Sequence, residues 1–394
     1  MNINFVENLD LEGKSVFLRL DLNVPLNEKG EISDFTRIER SLPTIKHILK
    51  FTNKIVIASH LGRPKGKPDP KYSLEVVGAK LTELLNVEVA FVDDYVKAPI
   101  DQLLTRLGKN RIILLENLRF YAQETENSTE FAMKLAKGID FFVNDAFGAM
   151  HRAHASVAAL AERFPKERKA MGFLVREEIR ALDQIRDHAQ TPFSIVIGGS
   201  KVSDKVTVLL NLINTCNNIV VGGAMAYAFL KQMGKPVGRS LCEPNTERMV
   251  QSILANAQAR KVSIYLPEDH VCAKSLDDSK GKMFESIPDD YMALDIGPRT
   301  IERYKNIIGA SKTIFWNGPL GVFEKPAFRR GTIAIAEKIA ETDCFSVAGG
   351  GDSIAAINLA GLAKKFGHIS TGGGASLEYL EGKTLPGLRA LMNG

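Results

Sequence analysis

The chain has 394 residues, 45% of them apolar and 25% charged, with 51 Lys and Arg against 46 Asp and Glu. That length exceeds what a single hydrophobic core serves, so two domains are expected, and the balance is that of a soluble globular protein rather than a disordered or membrane-embedded one. The small cationic surplus contains no continuous basic run, which argues against a nucleic-acid partner and for small anionic ligands.

Residues 1–14 carry acidic side chains and lack an apolar core with a small-residue cleavage site, so a secretory signal is not expected. Short β-branched or aliphatic runs at 15–20, 54–59, 87–92, 111–115 and 141–144 read as buried parallel strands. Between them, Leu74, Val77, Leu81 and Leu84 keep helical spacing, and 128–137 starts on a capping Ser128 and stops before Gly138. Residues 175–188, with Val175, Ile179, Leu182 and Ile185 on one face, read as a linking helix. The same rhythm restarts after Pro192, with strands at 194–197, 218–221, 262–266, 291–295, 312–316 and 345–348. The longest uncharged apolar stretch, 219–230, is too short for a bilayer and holds two glycines, so no membrane partner is expected and a cytoplasmic location follows. Cys216, Cys242, Cys272 and Cys344 lie far apart with no CxxC pair, and read as buried, reduced thiols.

The expected fold is α/β: two doubly wound parallel-sheet, Rossmann-like domains joined by a helical hinge. The first domain covers 1–174, the hinge 175–188 and the second domain 189–379, with the tail from about 380 to 394 packing back on the first.

Glycines in the second half gather where strands end: Gly198-Gly199, Gly222-Gly223, Gly318, Gly349-Gly350-Gly351 and Gly372-Gly373-Gly374. Ligands of open α/β sheets bind beyond the carboxyl ends of the strands, and glycine there lets backbone amides approach a phosphate, so a nucleotide site is inferred. Asp352 precedes an apolar helical pattern, where it either caps the helix or faces a magnesium ion. Lys201 and Lys205, read as i and i+4 at a helix start, place two ammonium groups where an anion relieves their repulsion. No GxxxxGK[ST] or GxGxxG motif is present, which excludes a Walker protein and a protein kinase. The first half offers Arg19, Asp21, Asn23, Arg37, His60, Arg63, Arg119, His151, Arg152 and His154, many just past a strand end. Such a basic basin suits a small phosphorylated carboxylate, which guanidinium groups bind in bidentate fashion. His151 and His154 equally suit a role in orienting the loop that carries Arg152.

Read in order, Arg19-Leu-Asp-Leu-Asn-Val-Pro25, Ser59-His-Leu-Gly-Arg-Pro64, Glu116-Asn-Leu-Arg-Phe120, Asn144-Asp-Ala-Phe-Gly148 and His151-Arg-Ala-His154 resemble the phosphoglycerate kinase family. Gly198-Gly-Ser-Lys-Val-Ser-Asp-Lys205, Trp316-Asn-Gly-Pro-Leu-Gly-Val-Phe-Glu324, Gly349-Gly-Gly-Asp352 and Ser370-Thr-Gly-Gly-Gly-Ala375 continue the match along nearly the whole chain. The resemblance implies a 3-phosphoglycerate site at Asp21, Asn23, Arg37, His60, Leu61, Gly62, Arg63, Arg119 and Arg152. It implies a nucleotide site for ADP or ATP at Lys205, Asn317, Glu324, Gly350, Gly351, Asp352 and Ser353, with magnesium on Asp352. Catalysis falls to Arg37, Lys201, Lys205, Gly372 and Gly373, in a monomer. Ser353 stands where the family usually has Thr, and Ser200 where Ala is common. The rival expectations are another acyl-phosphate kinase on the same frame, or a nucleotide-binding scaffold without catalysis.

Overall fold

Every residue of Val16–Leu20 (β1) is buried, as a strand covered on both sheet faces requires. The same holds for Ile55–Ala58 (β2), Ile112–Leu115 (β4) and Phe141–Asp145 (β5). With Val89–Val92 (β3) and Lys169–Met171 (β6) they form a parallel sheet in the order β3-β4-β2-β1-β5-β6. The computed structural model describes residues 3–97, 99–106 and 112–392, so Arg111, expected to open the fourth strand, lies outside the described residues. This sheet belongs to a unit made of the residues up to Ile179 together with those from Thr384 onwards; Arg180–Lys383 make the second unit.

The tail contributes Pro386–Met392, a helix whose Leu388 and Leu391 are buried. Gly387 donates its N–H to the Met150 carbonyl at 3.0 Å, and a side chain there would stand 2.8 Å from Met150 and Val157.

In the second unit Phe193–Ile197 (β7), Asn218–Val221 (β8) and Ser263–Tyr265 (β9) alternate with helices. His270–Ala273 (β10), Lys282–Phe284 (β11) and Met292–Ile296 (β12) follow, then Thr313–Asn317 (β13), Phe345–Gly349 (β14) and His368–Ile369 (β15). The parallel sheet runs β15-β14-β13-β7-β8-β9. Its strand order reverses between β7 and β13, whose Ile197 and Asn317 are in register. A ligand crevice is expected beyond the ends of such a strand pair.

The run at 291–295 was expected in this sheet; as β12 it instead pairs antiparallel with β10 in a separate three-stranded sheet. A short apolar run does not carry strand direction. β11 is largely exposed and β10 is a four-residue strand that opens on a histidine, so both escape a reading based on apolar runs, as do the three- and two-residue β6 and β15. The linking helix is Phe173–Arg186, two residues earlier at each end than expected, and the division into units falls within it. Its first turn is held by the Thr44 hydroxyl, which accepts the Phe173 N–H at 3.0 Å.

Candidate active site

In the first unit, polar side chains converge beyond the carboxyl ends of β1 and β2. Asp21 follows β1 and pairs with Arg37, which sits in the first turn of the helix Thr36–Leu49. That turn is placed by Asp34, whose carboxylate accepts the Thr36 N–H at 2.7 Å. Asn23 accepts the Gly62 N–H at 2.8 Å, and Arg119 donates to the Gly62 carbonyl at 2.9 Å. Gly62 has a φ of +61°, and a Cβ on it would stand 2.3 Å from the Tyr72 ring, so only glycine fits this clamp. Asn117 accepts the Arg119 N–H at 3.0 Å and donates to the Leu61 carbonyl at 2.6 Å, which ties the two loops together. Arg63 and Arg152 are exposed, and Arg152 donates to His151 at 3.1 Å. Arg19, expected among the lining groups, is fully buried and lies behind the basin.

The electrostatics mark the basin as short of negative charge. Burial, then Arg19 and Arg152, lowers Arg119 to about 10. Burial, with the charges of Arg119, Arg19 and Arg152 behind it, drives His154 down to about 3, and His60 is likewise held well below its ordinary value. Cations crowded this way disfavour one another until an anion arrives. Arg119 Nε is buried with no hydrogen-bond partner among the described residues.

The second unit holds two adjoining pockets at its topological switch point. One, of about 140 Å³, is lined by Gly199, Lys201, Asp204, Lys205, Asn317, Gly350, Gly351, Asp352 and Ser353. Its floor is backbone on backbone: a Cβ on Gly198 would meet the Pro319 carbonyl at 2.0 Å, and one on Gly318, at φ +96°, would meet the Gly198 carbonyl at 2.2 Å. Lys205 bonds to the Asn317 side chain; burial lowers its pKa, while Asp204 and Asp352 oppose that shift. Ser353 Oγ accepts the Gly318 N–H at 2.6 Å, which the Thr usual at this position would also do. The second pocket, of about 480 Å³, is walled by Tyr227, Leu241, Leu276, Leu294, Leu320 and Val322, with Arg239 and Glu324 also lining it. It shares Gly199, Ser200, Pro319 and Asp352 with the first. An apolar chamber opening into a glycine-lined polar one has the form of a nucleoside site continued by a phosphate site.

The family model described as Phosphoglycerate kinase matches residues 6–383. The chain belongs to the phosphoglycerate kinase family. It is 48% identical to the phosphoglycerate kinase of Anaeromyxobacter dehalogenans (strain 2CP-C), covering 99% of both chains, and 46% identical to that of Leptospira biflexa, covering 100% of this chain and 99% of the relative. The solved structure of the Coxiella burnetii phosphoglycerate kinase superposes with a TM-score of 0.88 at 37% identity, over 99% of this chain and 98% of that one. The Pyrococcus horikoshii enzyme gives 0.81 at 34% identity, over 98% of both.

Within this phosphoglycerate kinase frame two expected details change. Lys201 and Lys205 do not share a helix face: the helix is Val206–Leu212, Lys205 is its N-cap, and Lys201 lies in the preceding loop. Glu243 makes that loop, accepting the Ser203 N–H at 3.0 Å and the Ser203 hydroxyl. Asp352 does not cap its helix, because Gly350 is the N-cap at φ +90° and Asp352 is the second helical residue, exposed towards both pockets. The last glycine cluster starts its helix at Gly374, with Gly373 as the cap and the Gly372 N–H given to Ser370 at 3.2 Å.

Asp204 and the apolar wall were missed. Asp204 stands in a motif read for its lysines alone, and the wall is assembled from segments far apart in the chain. Leu241 and Leu276 are 63% and 48% exposed, a property that their positions in the sequence do not reveal. Among the described residues no helix is long and apolar enough to cross a membrane.

Proposed function

We propose that this chain catalyses the reversible transfer of a phosphoryl group from 1,3-bisphosphoglycerate to ADP, giving 3-phosphoglycerate and ATP, as a glycolytic enzyme. The observation that carries the reading is the phosphate-sized pocket opening into a nucleoside-sized one, in a chain whose other unit crowds Arg19, Arg119 and Arg152 together. The glycerate ligand is assigned to Asp21, Asn23, His60, Leu61, Gly62, Arg63, Arg119 and Arg152. The nucleotide is assigned to Lys205, Asn317, Gly350, Gly351, Asp352 and Ser353, with Glu324 on the ribose hydroxyls.

The transfer needs no general base. In one direction the nucleophile is a carboxylate, of reference pKa about 3.5, and in the other a phosphate oxygen, both ionised at neutral pH. Positioning and charge neutralisation are what remains for the protein to supply. Arg37, Lys201 and Lys205 supply cations to the moving phosphoryl oxygens, and Gly373, which Gly372 leads into the helix start, supplies a backbone donor.

Magnesium suits the donor set. No group of three or more His, Cys, Asp or Glu among the described residues could cage a metal, but Asp352 and Asp204 both line the phosphate pocket. One or two carboxylates completed by phosphate oxygens and water are the usual coordination of this ion. When bound, magnesium neutralises nucleotide phosphate charge; Asp352 would hold it.

We also propose that the enzyme acts as a cytoplasmic monomer and that the ends of the linking helix absorb a closing motion, because the two ligand sets belong to different units. Small-angle scattering is expected to give a smaller radius of gyration with 3-phosphoglycerate and a non-hydrolysable nucleotide together than with either alone. The activity itself is tested by coupling ATP formation from ADP and 1,3-bisphosphoglycerate to a reporter enzyme. No turnover by folded protein would sink the proposal.

A further inference from the structure

Arg19 reaches the basin through His60. Both side chains are buried, Arg19 fully and His60 to 5% exposure. One terminal nitrogen of Arg19 lies 3.1 Å from His60 Nδ1. A guanidinium carries donors on all three nitrogens and no acceptor, and it does not give up its proton in proteins. The contact therefore requires a lone pair on Nδ1, and the single proton of a neutral ring is left on Nε2.

We propose that Arg19 locks His60 in the neutral Nε2–H tautomer, so that His60 meets the substrate as an uncharged hydrogen-bond donor and Arg19 is its positioning residue. Only the substrate contact rests on the functional reading given above; the tautomer stands on the free protein.

The guanidinium has no freedom to turn away. Its Nε donates to Ser156 Oγ at 2.8 Å and its other terminal nitrogen donates to the Leu20 carbonyl. Ser156 is itself fixed, giving its hydroxyl to Glu124 at 2.6 Å and its N–H to the same carboxylate at 2.9 Å. The bond to Nδ1 is the ring's one hydrogen bond among the described residues, which leaves Nε2 without a protein partner there. The charges around the ring keep it neutral: Arg19, Arg119, Arg37 and His154 all oppose a proton there, in the same direction as burial. Glu124 and Asp21 are the carboxylates that act on Arg19 and keep that cation tolerable in the interior. The division of labour is physical: arginines supply charge to the anion, and the histidine supplies direction without charge.

The test is a long-range 1H–15N correlation spectrum of the full chain labelled in histidine, with the His60 signals assigned through His60→Gln. At pH 7 and at pH 5.5, Nδ1 is expected unprotonated and Nε2 protonated; an Nδ1–H tautomer, or a doubly protonated ring at neutral pH, overturns the proposal. With uniform 15N label, a coupling across the hydrogen bond between the Arg19 guanidinium and Nδ1 ties the tautomer to Arg19 without any variant. Its absence beside a resolved Nδ1 signal refutes the pairing. Calorimetry with 3-phosphoglycerate then isolates the substrate contact. His60→Leu, which has no donor, is expected to bind roughly 2- to 12-fold more weakly, the worth of one neutral hydrogen bond, with a pH profile parallel to wild type from pH 5.5 to 8. A wild-type advantage that grows as the pH falls would show a cationic histidine and overturn the proposal. Unchanged affinity would refute the contact, and the spectrum would still decide the tautomer.

Discussion

Asp145 caps the linking helix from the end of β5: its carboxylate accepts the Val175 N–H at 3.1 Å. Gly172 makes room for it, since a Cβ there would stand 2.3 Å from that carboxylate. Burial outweighs the Thr44 hydroxyl and the helix N–H groups and pushes Asp145 up to about 7. Asp295 is raised to about 7 by burial too, against the Gly331 and Ile296 N–H groups.

Both groups thus hold their proton more tightly in the native chain than in the unfolded one. Their contribution to stability is full below the ordinary carboxylate value of 3.8 and is lost as the pH rises to about 7. Each is expected to add a fall of up to about 1.4 kcal/mol per pH unit within that window. Urea melts at pH 5, 6 and 7 should show Asp295→Asn with a shallower decline than wild type. Parallel declines would refute the assignment.

Arg37→Ala is expected to lower kcat by about 10²- to 10³-fold, the scale of a lost transition-state donor. The helix Thr36–Leu49 should persist, because Asp34 rather than Arg37 places its first turn. A variant with near-normal kcat and a folded circular dichroism spectrum would remove Arg37 from the transfer step.

Asp352→Asn is expected to weaken magnesium-nucleotide binding while leaving 3-phosphoglycerate binding unchanged, since the two ligand sets lie on different units. Gly350 caps the helix, so its start should survive. Equal damage to both ligands in calorimetric titration would make the residue structural.

Glu243 touches no assigned ligand, yet its carboxylate holds both the N–H and the hydroxyl of Ser203, between the two lysines. Its own pKa is kept low by those bonds and by Lys201, although burial opposes them. Glu243→Ala is expected to reduce kcat/KM for the nucleotide by roughly tenfold or more, and Ser203→Ala by less, because it removes one of the two bonds. The ranking is read from steady-state kinetics at fixed 3-phosphoglycerate. Ser203→Ala as harmful as Glu243→Ala would contradict the two-bond tether.

The strands β1, β2, β4 and β5 were legible because each is apolar enough to be buried along its length, and the glycine clusters because phosphate sites at strand ends need bare backbone. The exception inside β1 is instructive: Arg19 reads as a site residue in any strand-end survey, and only the packing of Ser156 and Glu124 behind it shows why a full cation is tolerated there. The lysine loop misled for a related reason. Spacing of four suggests one helix face, but the Glu243 tether that unwinds the segment comes from 40 residues away. The apolar wall was illegible because side chains at Tyr227, Leu276 and Leu294 look like core until their shared cavity is seen.

The return of the chain from Thr384 onwards to the first unit sets an order on biosynthesis. The second unit is contiguous and has all its residues once Lys383 has left the ribosome. The first, although made earlier, must wait with the surface of Met150 and Val157 open until the helix Pro386–Met392 emerges to cover it. The second unit can therefore finish folding before the first, which spends the interval with Met150 and Val157 uncovered, a surface on which holding chaperones, or a neighbouring nascent chain, can act.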